Sequence, residues 1–461
     1  MQQIKTSIIP VQPTFAKVKA PHELDYEAIC IFAATGFFLD QDTYWKDEKV
    51  LRPGHTTTID DEGYIINSTP WFKWHYSPRN IDLNQAVTEF TNLFETIVKE
   101  QTQGKQVILP LSGGLDSRSQ AVALKQVKAK VCSYSYSYQN GYDEAGISQK
   151  IAKCLEIPFI KYTIPKGYLW SKIEQLATIN GCYSEFTHPR QMAVADELGQ
   201  LGELFSLGHW GDVLFDADEL PDEANENSIA YLKKKIIKKG GLALANSLWN
   251  QWQLEGDFET YLEKRLLTLW QAIDIQQKSA KLRAFKSLYW APRWTSVNLA
   301  VFENEQPVTL PYYDDRMCEF ICTVPEALLA NRQIQIEYIK KRNPKIAKIV
   351  WQDKRPFNLY NYYWHKFPYN FPYRVITKLQ RVINGMLKAP HVQRNWELQF
   401  LGQDNDEMLK NYLYKSKLTD IVAKEIIDQV YQAFKNKDQV VFSHPLSILL
   451  TLSLKAQFSY K

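Results

Sequence analysis

The chain has 461 residues, of which 45% are hydrophobic and 23% are charged, and its formal net charge is +4. This composition is typical of a globular protein of about two or three domains, and so small a charge excludes nucleic acid as the expected partner. Residues 1–13 lack the cationic start and apolar core of a signal peptide, and no apolar run has membrane-spanning length. We therefore expect a cytoplasmic protein without a transmembrane segment.

The first part of the chain, residues 1–80, is predicted to be rich in β-strands. The apolar run at 29–32 is typical of a short strand. Residues 56–66 contain two strand-like runs separated by turn-forming residues, which indicates a hairpin. From 83 to 101 apolar residues recur at helical spacing, which predicts an amphipathic helix.

The hexapeptide Ser-Gly-Gly-Leu-Asp-Ser at 112–117 is the most informative motif. An apolar, strand-like run at 107–111 precedes it and a helix-like stretch at 118–127 follows. Paired glycines at a helix N-terminus let backbone N–H groups approach an anion such as phosphate. The carboxylate of Asp116 fits beside phosphate if a divalent cation lies between them. The motif is neither a Walker A loop nor G-x-G-x-x-G, and an ordinary tight turn is the alternative interpretation.

Strand-like and helix-like segments continue to alternate after this loop. Residues 216–290 are predicted to form a helical insertion, and residues 281–461 are mostly helical in pattern. Alternation of this kind predicts an α/β fold with a doubly wound parallel sheet that binds ligands at the carboxyl ends of its strands. The segments concerned are strands at 131–136, 159–164 and 204–207 and a helix at 143–155.

Several stretches, in order along the chain, resemble the asparagine synthetase family. The hexapeptide resembles that family's pyrophosphate loop, and 208–215 resembles its Gly-Glu-Gly-Ala-Asp-Glu-Leu-Phe segment. Residues 310–314 resemble the family's Val-Pro-Phe-Leu-Asp segment, and residues 354–357 resemble a late basic motif. Residues 52–55 resemble a turn of the family's glutaminase domain. The resemblance covers roughly residues 27–360 and implies a synthetase fold of the ATP pyrophosphatase (adenine nucleotide alpha hydrolase-like) type.

The same resemblance implies a domain organisation. Residues 1–80 correspond to a small β-rich remnant of a glutaminase-like domain. Residues 81–461 correspond to the ATP-binding synthetase domain, whose C-terminal part is helical.

Roles for individual residues follow from the resemblance. It implies that Asp116 and Asp212 hold Mg²⁺ and that Lys354, with Arg355 as the alternative, neutralises charge on pyrophosphate. The resemblance assigns pyrophosphate binding to Ser112, Gly113, Gly114 and Ser117, and adenosine binding to Leu111, Tyr136, Leu207 and Gly208. For Tyr136, packing in the core is the alternative to adenosine binding.

Three positions depart from the family's pattern near the acceptor carboxylate. His209 stands where asparagine-forming members carry Glu and lactam-forming relatives carry Tyr. A histidine there acts either as a base on the attacking amine or as a substrate contact. Val213 and Thr309 replace an acid and an arginine of the family. We therefore expect ATP use to be retained and L-aspartate not to be the substrate.

The N-terminal part departs further. The family's glutaminase uses a cysteine as its first residue, whereas this chain starts Met1-Gln2-Gln3 and its first cysteine is Cys30. We expect no glutamine hydrolysis by this chain. The nitrogen is then supplied by free ammonia, by a separate glutaminase, or by an amine on the second substrate.

The leading hypothesis is an ATP-dependent ligase that adenylates a carboxylate and transfers it to ammonia or an amine. Residues 115–118 resemble relatives found with surface-polysaccharide genes, which favours a sugar-linked acid as substrate. A peptide macrolactam synthetase and a non-catalytic nucleotide-binding protein are the alternatives. Oligomeric state is left open.

The stretch 361–373 is rich in aromatic residues, with Lys366 and Arg374 nearby. Such a stretch is typical of packing between helices, and a surface that faces lipid is the alternative.

Overall fold

The computed structural model of the protein describes residues 1–143, 145–217, 225–387 and 391–459. The strands of this part of the chain are β1 (Gln2–Lys5), β2 (Phe15–Lys17), β3 (Glu48–Val50), β4 (His55–Ile59), β5 (Ile65–Pro70), β6 (Gln106–Pro110), β7 (Lys130–Tyr138), β8 (Phe159–Ile164), β9 (Leu204–Ser206) and β10 (Val308–Thr309).

Helices account for most of the remaining described residues, and a π-helical stretch covers Lys286–Thr295. The α-helices are α1 (Tyr26–Thr35), α2 (Leu83–Thr102), α3 (Leu115–Gln126), α4 (Ala145–Leu155), α5 (Tyr168–Asn180), α6 (Ala195–Leu198), α7 (Gly211–Leu214), α8 (Asn225–Ile236), α9 (Gly241–Gln251), α10 (Phe258–Gln271), α11 (Lys278–Phe285), α12 (Ser296–Glu303), α13 (Asp315–Cys322), α14 (Glu326–Leu329), α15 (Gln333–Arg342), α16 (Pro344–Ala347), α17 (Phe371–Leu387), α18 (Asn395–Phe400), α19 (Gln403–Tyr414), α20 (Lys424–Asn436) and α21 (Gln439–Ser459).

A five-stranded sheet in the order β10-β9-β6-β7-β8 forms the centre of the fold, and each neighbouring pair is parallel. Helix α3 connects β6 to β7, and α4 connects β7 to β8. The strands β6 and β9 are neighbours, with Ile108 opposite Phe205. Because parallel strands end at the same edge of a sheet, the loops that follow β6 and β9 emerge side by side. The predicted parallel sheet is confirmed, and its topology brings 112–117 and 208–215 together.

Helix α2 packs against α3 and α15 close to these loops. It begins with a capping box, in which the Asp82 carboxylate accepts from the Gln85 backbone N–H at 2.7 Å and the Gln85 side chain accepts from the Asp82 N–H at 3.0 Å. Phe94, on its buried face, packs on Tyr312 with ring centroids 5.0 Å apart, and Phe90 packs on Phe215 at 4.8 Å. The predicted helix therefore supports two segments that border the site.

The prediction of a strand at 29–32 is wrong, because these residues lie in helix α1. The Asp25 carboxylate caps this helix by accepting from the Ala28 N–H at 3.0 Å, and Gly36 ends it with φ +82°. Residues 28–35 are all buried. A helix that is apolar on every side has no periodic pattern by which to distinguish it from a buried strand.

The other coarse predictions agree with the structure. Strands β4 and β5 form the predicted antiparallel hairpin, and β1 adds to it as a third strand. The predicted insertion at 216–290 is helical where it is described, and its residues 218–224 lie outside the described part. The C-terminal half is helical as predicted. Within the described ranges, no helix is both long and apolar enough to cross a membrane.

The N-terminal residues pack into the same core as the sheet domain. Helix α1 packs against α9, and the ring of His444 in α21 lies 2.9 Å from the Ala33 carbonyl. Phe32 is fully buried, stacks on Phe38 at 4.9 Å and meets the edge of Tyr44 at 5.9 Å. Helix α1 and the residues that follow it to Leu39 are therefore part of the hydrophobic core of the molecule.

We expect Phe32→Ala to lower the free energy of unfolding by about 3–5 kcal/mol, because it leaves a cavity among closely packed rings. Urea denaturation followed by circular dichroism measures this loss. Ile66→Ala is the matched control, since Ile66 is exposed. A loss below about 1 kcal/mol in Phe32→Ala would show that the N-terminal residues do not share the core.

Candidate active site

The loop between β6 and α3 is held in shape by its own serines. The hydroxyls of Ser112 and Ser117 lie 2.8 Å apart, and the backbone N–H of Ser112 donates to the Ser117 hydroxyl at 3.0 Å. Gly114 is the N-cap of α3, and Ser112 is exposed. The result is a strand–turn–helix unit that presents hydroxyls and backbone N–H groups at a helix N-terminus, which is a favourable environment for an anion.

A distant segment docks on this loop through Gln352. The Gln352 side chain accepts from the Gly113 N–H at 3.0 Å, and the Gln352 N–H donates to the Gly113 carbonyl at 3.1 Å. A Cβ atom at Gly113 would lie 2.7 Å from the Gln352 amide oxygen, so the position accepts only glycine without rearrangement. Buried Arg118 reinforces the contact by donating to the carbonyls of Gly113, Ile349 and Val350 at 2.8–3.0 Å.

Asp116 lies in the first turn of α3 and forms an ion pair with Arg332. Its Oδ1 accepts from the Arg332 guanidinium and, at 3.0 Å, from the Gln335 amide, which also donates to the Tyr312 hydroxyl at 2.9 Å. Burial and the nearby Asp212 carboxylate raise the pKa of Asp116 to about 6, against the lowering effects of Arg332 and Gln335. Two carboxylates therefore share one partly desolvated site.

The loop after β9 places Asp212 opposite Asp116. Trp210 has a left-handed backbone with φ +74°, and the short helix α7 begins at the next residue. A Cβ atom at Gly211 would collide with the Asp116 carboxylate, and one at Gly208 would lie 3.1 Å from the Ser117 backbone nitrogen. Both glycines thus permit the close approach of the two loops, which leaves Asp212 exposed at the mouth of the site.

A cavity of about 620 Å³ opens between the two loops, a size usual for small-molecule sites. Three cationic side chains, Arg190, Lys235 and Lys286, border it together with Trp290 and Trp294. Nine of the thirteen residues predicted for the site also line this cavity: Leu111, Ser112, Asp116, Ser117, Tyr136, Leu207, Gly208, His209 and Asp212.

The predicted Gly113, Gly114, Lys354 and Arg355 do not line the cavity. Lys354 follows the docked Gln352 by two residues, and its ammonium lies 5.7 Å from the centre of the Trp351 ring. Arg355 borders a separate cavity of about 790 Å³ together with Lys150 and Lys348. The structure therefore places the basic motif beside the loop rather than inside the cavity.

Tyr136 lies at the wall of the cavity, on strand β7. Its hydroxyl accepts from the Arg190 Nε at 2.7 Å, and the guanidinium lies 5.4 Å from the centre of its ring. Tyr136 is half-buried and packs against the hydrophobic core as well as lining the cavity, so its adenosine-binding role stays a prediction. Thr309, one of the departures noted above, donates to the Phe205 carbonyl at 3.2 Å, whereas Val213 lines the cavity.

His209 faces the cavity next to the carboxylates. Its Nδ1 is buried and has no hydrogen-bond partner among the described residues. Burial lowers the pKa of His209 to about 4, although Asp212 acts in the opposite direction, so the imidazole is neutral at physiological pH. His209 is therefore a cavity-lining side chain whose Nδ1 makes no hydrogen bond within the described part of the chain.

The residues that hold Asp116 were not found from the sequence. Arg332 and Gln335 lie more than 200 residues further along the chain, and Arg332 is placed by left-handed backbone at Asn331 and Arg332, with φ +57° and +60°. The cavity cations Arg190, Lys235 and Lys286 were not found either. A sequence signal was available for Trp290 and Trp294, because aromatic residues four apart lie on the same face of a helix.

Asp116 and Asp212 match the preferences of a hard divalent cation. Carboxylate oxygens are the ligands that Mg²⁺ takes in proteins, usually with phosphate oxygens and water completing the shell. Burial and the like charge of Asp212 raise the pKa of Asp116 despite the ion pair with Arg332, and a cation between the two carboxylates would favour their charged forms. In the described part of the chain, no group of three or more metal-ligating side chains is present. Two carboxylates fit a cation whose remaining ligands come from phosphate oxygens and water.

We expect Arg332→Gln to lower the free energy of unfolding by about 3 kcal/mol, because it leaves the Asp116 carboxylate without its cation in a mostly buried site. The double variant Asp116→Asn/Arg332→Gln should lose less than the sum of the two single variants. Urea denaturation measures all three. Arg79→Gln, which breaks an exposed ion pair with Glu89, is the control and should change stability by less than about 1 kcal/mol. Additive losses would contradict the coupling.

A comparison with curated proteins gives no significant match. Two solved structures are similar in part. The first is an NMN synthetase from Francisella tularensis, with 14% sequence identity and a TM-score of 0.23, and the match covers 45% of this chain and 92% of that one. The second is the U34-tRNA thiolase NcsA from Methanococcus maripaludis, with 13% sequence identity and a TM-score of 0.22, and the match covers 50% of this chain and 86% of that one. At such scores they bear on neither the fold nor the function of this chain.

The family comparison is decisive. The asparagine synthase family model matches residues 89–418, which is more than half of the chain and includes both loops, the Arg332–Gln335 pair and the docked segment at 352–355. The chain therefore belongs to the asparagine synthase family.

Proposed function

We propose that the protein is an ATP-dependent ligase that activates a carboxylate as its adenylate and then joins it to a nitrogen nucleophile. Membership in the asparagine synthase family supports an ATP-dependent ligase. The observation that carries the finer proposal is that one cavity brings together the serine–glycine loop, the Asp116–Asp212 pair and His209.

In the first step a carboxylate oxygen of the substrate attacks the α-phosphorus of ATP, and pyrophosphate leaves with the electrons of the broken P–O bond. Negative charge accumulates on the leaving group and must be stabilised by preorganised dipoles and cations. We assign this task to the loop from Ser112 to Ser117 and the N-terminus of α3. Asp116 and Asp212 would hold Mg²⁺, which supplies charge neutralisation when it is bound.

Lys354 stays a proposed contact to pyrophosphate, with Arg355 as the alternative. Its backbone is tied to the loop through Gln352, two residues earlier, which supports this assignment. Its ammonium packs over Trp351 in the structure.

In the second step a neutral amine attacks the acyl carbon, AMP leaves, and the nitrogen loses a proton. We place the acyl group near His209, whose neutral ring lines the cavity and accepts a hydrogen bond from the amine. Arg190, Lys235 and Lys286 border the same cavity and favour a substrate with anionic groups besides the reacting carboxylate. Val213 and Thr309 in place of the family's acid and arginine support an acid other than aspartate.

The nitrogen source and the substrate acid are the targets of the experiment. ATP, Mg²⁺ and the protein are incubated with a panel of amino acids, uronic acids and short peptides, with ammonia or with amines, and pyrophosphate and AMP are quantified. Acid-dependent formation of both products supports the proposal. Tight ATP binding without turnover for any acid would support the non-catalytic alternative, and turnover only with a peptide that closes on itself would support the macrolactam synthetase.

A further inference from the structure

An aromatic surface lies outside the candidate active site, in the chain that follows the docked segment. Tyr363, Trp364, Phe367, Tyr369 and Phe371 are exposed, from 44% at Trp364 to 76% at Phe367. The sequence favours packing between helices for this stretch, whereas the structure turns these five rings outward. Exposed apolar patches of this kind mark contacts with another surface.

Helix α17 continues the patch with an apolar face that points away from the protein. Val375, Ile376, Leu379 and Val382 lie on one side of the helix because of its 3.6-residue turn, and all four are exposed. Tyr373 and Thr377, on the opposite side, are partly covered. The apolar side chains of α17 whose burial is described are therefore uncovered, which is the reverse of an ordinary surface helix.

The charge of this region is as distinctive as its hydrophobicity. Residues 354–396 contain eight Lys or Arg and no Asp or Glu, whereas the whole chain carries a net charge of only +4. Arg374 and Lys378 are exposed on the flank of α17, between its apolar side and its covered side. A partner that matches this surface has an apolar interior and negative charges at its boundary.

We propose that α17 and the preceding aromatic residues form a docking surface for an anionic lipid bilayer. The helix lies in the plane of the bilayer interface, with its apolar side in the acyl region and its basic flank at the headgroups. Tyrosine and tryptophan side chains prefer this depth, since one end of each is apolar and the other polar. The docked Gln352 lies about ten residues before the patch, so the bilayer is expected beside the candidate active site.

Co-sedimentation of the full-length protein with lipid vesicles tests this proposal, without ATP or substrate. We expect binding to phosphatidylcholine vesicles that contain phosphatidylglycerol to be at least about 10-fold stronger than binding to pure phosphatidylcholine, and to weaken as salt is raised. The double variant Ile376→Glu/Leu379→Glu should reduce binding by about 10-fold or more. Ile66→Glu/Ile160→Glu, which changes exposed apolar residues of other elements, is the matched control and should bind as the parent does.

Three results would overturn the proposal. They are no binding to either vesicle type, equal loss of binding in both double variants, and self-association in the absence of lipid that only Ile376→Glu/Leu379→Glu abolishes. The last would show that a second copy of the chain covers the patch. Because the assay contains no nucleotide, its failure leaves the proposed ligase activity standing, and a failed activity assay leaves vesicle binding standing.

Discussion

Asp116→Asn is expected to lower the rate of ATP-dependent pyrophosphate release by about 1,000-fold. The asparagine side chain keeps the shape of the aspartate and an oxygen that accepts from Gln335. It removes the negative charge that pairs with Arg332 and that, with Asp212, is proposed to hold Mg²⁺. The chemical step should be slower, and the Mg²⁺ concentration needed for half-maximal rate should be higher. A coupled pyrophosphate assay across a Mg²⁺ titration measures both.

A matched control separates this effect from a general loss of charge. Asp196→Asn removes a carboxylate that pairs with Lys172 at 2.8 Å and does not line the cavity. Its pyrophosphate release should stay within about twofold of the parent. Circular dichroism must show that Asp116→Asn is folded. A folded Asp116→Asn variant that releases pyrophosphate at more than about a tenth of the parent rate would contradict the assignment.

The fold was predictable where the sequence is periodic. The apolar spacing in 83–101 belongs to an amphipathic helix, and the alternation of apolar runs with helical stretches from 107 onward belongs to a parallel sheet. The run at 29–32 has no such spacing, because α1 is buried on all sides and its caps at Asp25 and Gly36 lie outside the run. Its structure depends on tertiary packing that no local pattern contains.

The candidate site likewise contains residues that were predictable from local sequence and residues that were not. Residues that act through a contiguous loop, such as Ser112 and Asp116, were predicted because strand, turn and helix are all encoded within a few positions. Arg332 reaches Asp116 only because a left-handed backbone turns the chain just before α15. Lys354 was predicted from a local motif, and its side-chain position depends on packing against Trp351. Contacts between distant segments are set by the assembled core.

His209→Ala is expected to lower amide formation by about 100-fold while ATP–pyrophosphate exchange stays within about threefold of the parent. The two half-reactions separate because Asp116, Asp212 and the serine loop serve the first, whereas His209 is proposed to contact the amine in the second. Alanine removes the unpartnered Nδ1 without removing any hydrogen bond that the described structure contains. Exchange of labelled pyrophosphate into ATP measures the first half-reaction, and amide product measures the second.

His209→Gln distinguishes a hydrogen-bond acceptor from a base. The glutamine amide oxygen accepts a hydrogen bond, as a neutral imidazole nitrogen does, but it does not take up a proton at physiological pH. Burial lowers the pKa of His209 to about 4, which makes the imidazole a weak base and favours the acceptor role. We therefore expect His209→Gln to retain at least about a tenth of the parent rate of amide formation. His75→Gln, at an exposed histidine bonded to Ser77, should leave both half-reactions unchanged. If His209→Gln is as slow as His209→Ala, the imidazole takes the proton of the amine; if both variants also lose exchange, His209 belongs to the ATP half of the site.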